Sequence, residues 1–139
     1  MFKRCGKVDY LDLTLRERRN RQIMKVAVTL NGYALMRASK KLRNDKKIVK
    51  LAVTQNGDAL QYASVYLQND GEIVKVAVQS NGYALMFASY DIQNDKDIVR
   101  LAVESSPYAF QFASDRLKKD KELSKIALKW GGYYTLPVF

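Results

Sequence analysis

The chain contains no histidine, and a single cysteine, Cys5, among its 139 residues. A Ser-His-Asp triad, a Cys-His pair, a His or Cys zinc cage and an internal disulfide each need residue types that are missing, so most catalytic chemistry is excluded before any motif is read. No run of eighteen apolar residues occurs, which excludes an obvious membrane-spanning helix. The first residues, MFKRCGKVDYLDLTLRERRNRQ, are interrupted by Lys3, Arg4, Lys7, Asp9 and Asp12 and lack the apolar stretch of a secretory signal. An intracellular location is expected, in the cytoplasm or within a virion or organelle assembly, and a lone unpaired cysteine fits a reducing compartment.

What remains is a chain with 47% hydrophobic, 11% aromatic and 27% charged residues, too apolar for disorder and of a length that suits one domain. Its net charge of +10 is unevenly placed. Residues 1–50 hold fifteen basic and four acidic side chains, residues 51–115 three and eight, and residues 116–139 six and two. Such polarity bears on a partner more than total charge does, because the local field steers association.

Self-comparison reveals a 25-residue period. Ala27, Ala52, Ala77, Ala102 and Ala127 mark it, as do Ile23, Ile48, Ile73, Ile98 and Leu123. Asn31, Asn56, Asn81 and Ser106 recur, each followed by Gly32, Gly57, Gly82 or Pro107. Alternate units match best: NGYALM stands at 31–36 and 81–86, while ALQYAS at 59–64 pairs with AFQFAS at 109–114. A unit of 25 residues paired into one of 50 before further duplication.

Within a unit, Ile48, Val49, Ala52 and Val53 form a helical stripe, predicting a first helix near 45–55. Leu60, Ala63 and Leu67 at i, i+3 and i+7 predict a second helix near 57–67. A left-handed cap at Asn-Gly would not tolerate Pro107, so Asn or Ser is read as the N-cap, with Gly or Pro at the first helical position. Helices of about 16 Å are too short to stand alone and must stack. The expected fold is all-α, an α-solenoid of two-helix repeats with nine or ten short helices in one domain: an N-terminal cap at 1–19, repeats at 20–130 and an apolar tail at 131–139.

The string D-K-x-I-V-x-x-A-V-x-x-N-G-x-A-L-x-x-A-S-x-x-L-x-N-D resembles the repeat of the domain-of-unknown-function family numbered 4116, which occurs in giant viruses, protists and amoeba-associated bacteria. The resemblance spans about residues 20–130 and involves a dozen positions over four copies. It implies a helical repeat fold and brings no established activity or site residues. Ser106-Pro107 and Gly71 depart from the family pattern. The period is also similar, more weakly, to the leucine-rich variant repeat.

Lys25, Lys50, Lys75, Arg100 and Lys125 share one register and would form a ridge. Glu72, Asp97 and Glu122 stand three residues before Lys75, Arg100 and Lys125 and are expected to pair with them along each helix. Near the start such acids are missing, which leaves Arg18, Arg19, Arg21, Lys25, Arg37, Lys40, Lys41, Arg43, Lys46, Lys47 and Lys50 as a candidate surface for a polyanion or a partner. The alternative is a solvated basic face.

Tyr62, Phe87 and Phe112 share a register with Arg37 and read as packing between units. Tyr33, Tyr83, Tyr108 and Tyr133 share another, broken by Asp58, and read either as half-exposed packing or as a stacking ladder. Ser39, Ser64, Ser89 and Ser114 read as helix-interior hydroxyls bonding the carbonyl four residues back. Cys5 has no partner residue and reads as incidental. Tyr133, Tyr134, Leu136, Val138 and Phe139 form an apolar tail expected to dock against the last unit or a partner.

The sequence therefore predicts a non-catalytic interaction module without cofactor, metal or membrane, a structural or scaffold component of a larger assembly with a protein partner. The competing expectation is a nucleic-acid or ribonucleoprotein binder using the basic end.

Overall fold

The computed structural model describes residues 10–131. Every regular element among them is helical. Two short 3-10 turns, η1 (Tyr10–Asp12) and η2 (Glu17–Arg19), precede the long helix α1 (Arg21–Leu30), the 3-10 helix η3 (Gly32–Arg37) and the one-turn helix α2 (Lys40–Arg43). The same succession of long, 3-10 and one-turn helix then recurs. It runs through α3 (Lys46–Gln55), η4 (Gly57–Tyr62) and α4 (Val65–Gln68), then α5 (Gly71–Ser80), η5 (Gly82–Phe87) and α6 (Tyr90–Gln93). A fourth set, α7 (Lys96–Ser105), η6 (Pro107–Phe112) and α8 (Asp115–Lys118), leads to α9 (Lys121–Gly131). The fold is all-α, as expected.

Each long helix starts where an Asx side chain caps it. Asp45 Oδ1 accepts from the backbone N–H groups of Lys47 and Ile48 at 3.0 and 3.1 Å, and Asp70, Asp95 and Asp120 repeat the arrangement, with Asn20 in the first copy. One residue then ends α3 and begins η4. The Asn56 N–H donates to Ala52 O at 2.8 Å, while its side-chain oxygen accepts from the Asp58 N–H at 3.0 Å. Its φ of −152° is extended, so the N-cap reading of the junction holds. Ser106 makes no such side-chain bond, and Pro107 holds the first position of η6 instead.

The second helix is not the continuous one expected at 57–67. It breaks at Ala63 and Ser64, whose ψ values of 157° and 156° are extended. The Ser64 N–H leaves its own chain segment and donates to Arg43 O, one repeat back, at 2.9 Å. Its hydroxyl oxygen accepts from the Leu67 N–H at 3.3 Å and donates to Asn44 Oδ1 at 2.6 Å. Ser39, Ser64, Ser89 and Ser114 are thus N-caps of the one-turn helices and not helix-interior hydroxyls. The backbone bonds Ser39 to Arg18, Ser64 to Arg43, Ser89 to Gln68 and Ser114 to Gln93 zip successive repeats along one edge.

Thr14 occupies the equivalent register before the first repeat. It forms a capping box with Glu17: the Glu17 N–H donates to Thr14 Oγ1 at 3.3 Å, and the Thr14 N–H to Glu17 Oε2 at 2.7 Å.

The long helices α1, α3, α5, α7 and α9 lie side by side as one layer, and η3 to η6 stack as a second. Each 3-10 helix packs on its own long helix and on the next, so the core runs unbroken between the layers. Ile48, Val49, Ala52, Val53, Ala59 and Leu60 are fully buried, and their counterparts in the next repeat, from Ile73 to Leu85, are too. Tyr62, Phe87 and Phe112 are partly buried against this core, in keeping with packing between units.

Candidate anion-binding site

The basic ridge is divided by the stacking of the long helices. Each interface between them places the first and fifth residues of one helix beside the cap and second residue of the next. Between α3 and α5 the four positions are complementary. Lys46 Nζ lies 3.0 Å from Asp70 Oδ2 and 2.8 Å from Glu72 Oε2, and Lys50 Nζ lies 2.8 Å from Glu72 Oε1. Between α7 and α9 the pattern returns, with Lys96 at 2.9 Å from both Asp120 and Glu122, and Arg100 at 2.7 Å from Glu122.

These pairs cross between helices and replace the expected pairing along each helix. Glu72 meets Lys46 and Lys50, not Lys75, and Glu122 meets Lys96 and Arg100, not Lys125. Hydrogen bonds from Lys46 and then Lys50 hold the Glu72 carboxyl well below its ordinary range, at about 2. Lys96 and then Arg100 lower Glu122 in the same way. Lys46 is raised by Glu72 and Asp70.

The other two interfaces are different. At the α5–α7 interface Gly71 supplies no cation, and Asp97 is one methylene shorter than Glu; no ion pair forms there among the described residues. At the α1–α3 interface Arg21 and Asp45 form the one ion pair among the described residues, at 2.9 Å. Burial of Asp45 opposes ionisation, but the Arg21 hydrogen bond and the capping N–H groups outweigh it and lower its pKa. Here Lys25 and Lys47 occupy the places that Lys50 and Glu72 fill one repeat later, so two cations stand where a pair would form. The 50-residue pairing of units seen in the sequence is thus a pairing of electrostatic interfaces.

The eleven basic residues singled out near the start therefore split. Arg21, Lys46 and Lys50 are neutralised by carboxylates. Arg19, Lys25, Lys40, Lys41 and Lys47 are exposed, with no ion pair among the described residues. Arg18, Arg37 and Arg43 are half-buried and tethered to carbonyls. Arg18 Nε donates to Leu13 O at 3.0 Å, Arg43 Nε to Ala38 O at 3.0 Å, and one Arg37 Nη to Leu11 O at 3.1 Å.

Five of these cations meet at one place. Arg18, Arg19, Arg37, Lys40 and Arg43 line a cavity of about 290 Å³ in the groove between η2 and the α2 edge, with Leu15 and Met36 on its wall and no carboxylate among the described residues. The Arg37 Nε is buried, with no hydrogen-bond partner among the described residues. The same groove recurs further along the edge with other chemistry. Val65, Tyr66 and Tyr90 line it between α4 and α6, in a cavity of about 410 Å³, with Tyr66 82% and Tyr90 70% exposed. That tyrosine pair was not singled out by sequence, because Tyr66 and Tyr90 stand 24 residues apart, in different registers of the 25-residue period, and meet only where α4 and α6 stack.

The other tyrosine register is partly a stack. The rings of Tyr83 and Tyr108 are nearly parallel, with centroids 6.3 Å apart. Tyr33 turns edge-on to Tyr62, and Asp58 interrupts the row. Asp58 Oδ1 accepts from Asn81 Nδ2 at 2.9 Å and its Oδ2 from the Tyr33 hydroxyl at 3.4 Å. The stacked pair lies in the third and fourth repeats, apart from the cationic groove. The tail residues Tyr133, Tyr134, Leu136, Val138 and Phe139, like Cys5, fall outside the described residues.

The repeating unit, now seen as one long, one 3-10 and one one-turn helix, is matched three times by a single family model, Domain of unknown function (DUF4116), at residues 20–68, 70–114 and 95–137. The chain belongs to the DUF4116 family. No curated protein and no solved structure matches it. The DUF4116 register accounts for the caps, the core and the glycine and serine positions, all of which recur. Among the described residues the cationic groove does not recur; it lies between η2 and the first repeat. Among the described residues there is no cluster of three or more His, Cys, Asp or Glu side chains able to hold a metal, and no helix is long and apolar enough to cross a membrane.

Proposed function

We propose that this DUF4116 chain is a non-catalytic helical-repeat interaction module, a component of a larger assembly, and that it holds an anionic partner at its first repeat. The observation that carries this reading is the groove lined by Arg18, Arg19, Arg37, Lys40 and Arg43 with no acid among them. At the α3–α5 and α7–α9 interfaces cations are matched by carboxylates, whereas the described lining of this groove holds none, which favours an anion there. The remaining described surface offers repeated structural caps and ion pairs in place of a nucleophile with a base, which supports binding over catalysis.

The polyanion form of this reading has its own support, because arginine guanidinia held by carbonyls keep their outer donors oriented for phosphate. Capture from the source organism with the parent chain and with an Arg19→Glu, Lys40→Glu, Lys41→Glu variant, with and without nuclease, tests it. Recovery of the same acidic protein or nucleic acid by the parent only is the expected result. Equal recovery by the variant would place the contact elsewhere.

A further inference from the structure

We infer that the first-repeat groove is a receptor for a compact oligophosphate, a run of two or three linked phosphate groups, and not merely a basic face. This rests on the reading that the first repeat is the anionic contact, and it names the ligand of that site.

Three observations support it. The first is charge density. Five cations and, among the described residues, no carboxylate line one cavity, and a terminal phosphate carries about −1.5 to −2 whereas each backbone diester carries about −1. One diester would leave most of these cations facing each other, while two or three linked phosphates match them. The second is size. At about 290 Å³ the open cavity lies at the low end of small-molecule sites and has room for an oligophosphate.

The third is preorganisation. Arg18 and Arg43 occupy equivalent registers in consecutive units and are tethered alike, each Nε to the carbonyl five residues back. Arg37 lines the same cavity, and its Nε is buried with no hydrogen-bond partner among the described residues. Arg100 also has an unpartnered Nε, but a carboxylate, Glu122, holds its guanidinium. Arg37 bonds the Leu11 carbonyl, and among the described residues no carboxylate pairs with it. Fixed guanidinia lose little freedom on binding, and bidentate contact with phosphate oxygens follows from their planar geometry.

Titration calorimetry of the full chain in near-physiological salt, with tripolyphosphate as the probe, tests the inference. One saturable site is expected, with affinity falling at least about tenfold for Arg19→Gln combined with Lys40→Gln, both exposed and free to change without loss of packing. Lys121→Gln combined with Lys125→Gln, at the far end, should leave it unchanged. A single-stranded RNA bearing a 5′-triphosphate should bind more tightly than the same strand with a 5′-hydroxyl.

Absence of saturable binding, equal loss from the far-end pair, or equal affinity for the two RNAs would each overturn the oligophosphate assignment. Failure of this test while the parent chain still captures an acidic partner through Arg19, Lys40 and Lys41 would discard the ligand and leave the interaction role standing.

Discussion

The α carbon of Gly57 lies so close to the carbonyl oxygen of Ala77, in the next long helix, that a β carbon built on it would overlap that oxygen. Gly32 stands in the same relation to Ala52, and Gly82 to Ala102. This glycine is needed for close approach of backbones and not for a left-handed turn, which explains why its register tolerates no side chain in three repeats. Gly57→Ala should therefore destabilise the fold by about 1–3 kcal/mol through overpacking, measured as a shift in denaturant midpoint. Asn56→Ala should cost about 1 kcal/mol as a lost N-cap. Ser106→Ala, where no side-chain cap bond exists, should be nearly silent. A costly Ser106→Ala, or a silent Gly57→Ala, would contradict this account of the junction.

Gly71 is a different glycine. A β carbon there would meet only Ile98 Cδ1, at an ordinary 3.6 Å. It stands where Lys46 and Lys96 stand in the neighbouring units, at the one interface between long helices that lacks an ion pair among the described residues. Gly71→Lys should stabilise the chain by about 0.5–1 kcal/mol, because glycine is a poor helix residue and Asp95 and Asp97 lie across the interface. Equilibrium unfolding of the variant checks this, and a lowered midpoint would mean that the side chain is not accommodated.

Acid should weaken the stack at the paired interfaces first. The Glu72 carboxyl, ordinarily near 4.5, is depressed to about 2 in the folded chain by Lys46 and Lys50. Its contribution is fully present above the unfolded value and is lost as pH falls from 4.5 towards 2, because the unfolded chain takes up the proton first. Asp45, Asp70, Asp120 and Glu122 are lowered too and act in the same direction. Unfolding midpoints at pH 6 and pH 3 should drop further for the parent than for Glu72→Gln. Equal drops would show the pairs to be idle.

Much of this architecture was legible in the sequence. The stripe of Ile48, Val49, Ala52 and Val53 and the Asn-Gly junction located the long helices and the start of the element that follows each of them. The break at Ser64 was not legible, since Leu60, Ala63 and Leu67 are spaced alike in a continuous helix and in one that breaks between them. Its cause is a bond to Arg43 O in another repeat, which no local pattern reports. The ion pairs were misassigned for the same reason: Glu72 looked like a partner of Lys75 by spacing, but stacking brings Lys46 and Lys50 to it. The basic end was visible as composition. Its division into neutralised residues such as Lys46 and groove residues such as Arg37 required the packing of helices.

The most direct test of the central claim, that the first-repeat groove and not overall charge makes the contact, compares two variants with the same net charge. One carries Arg19→Glu and Lys40→Glu; the other carries Lys121→Glu and Lys125→Glu. Elution salt from a heparin column reads the difference, since retention scales with the cations that meet the polyanion together. The account predicts a large fall in elution salt for the first variant and near-parental retention for the second. Equal falls for both would contradict it.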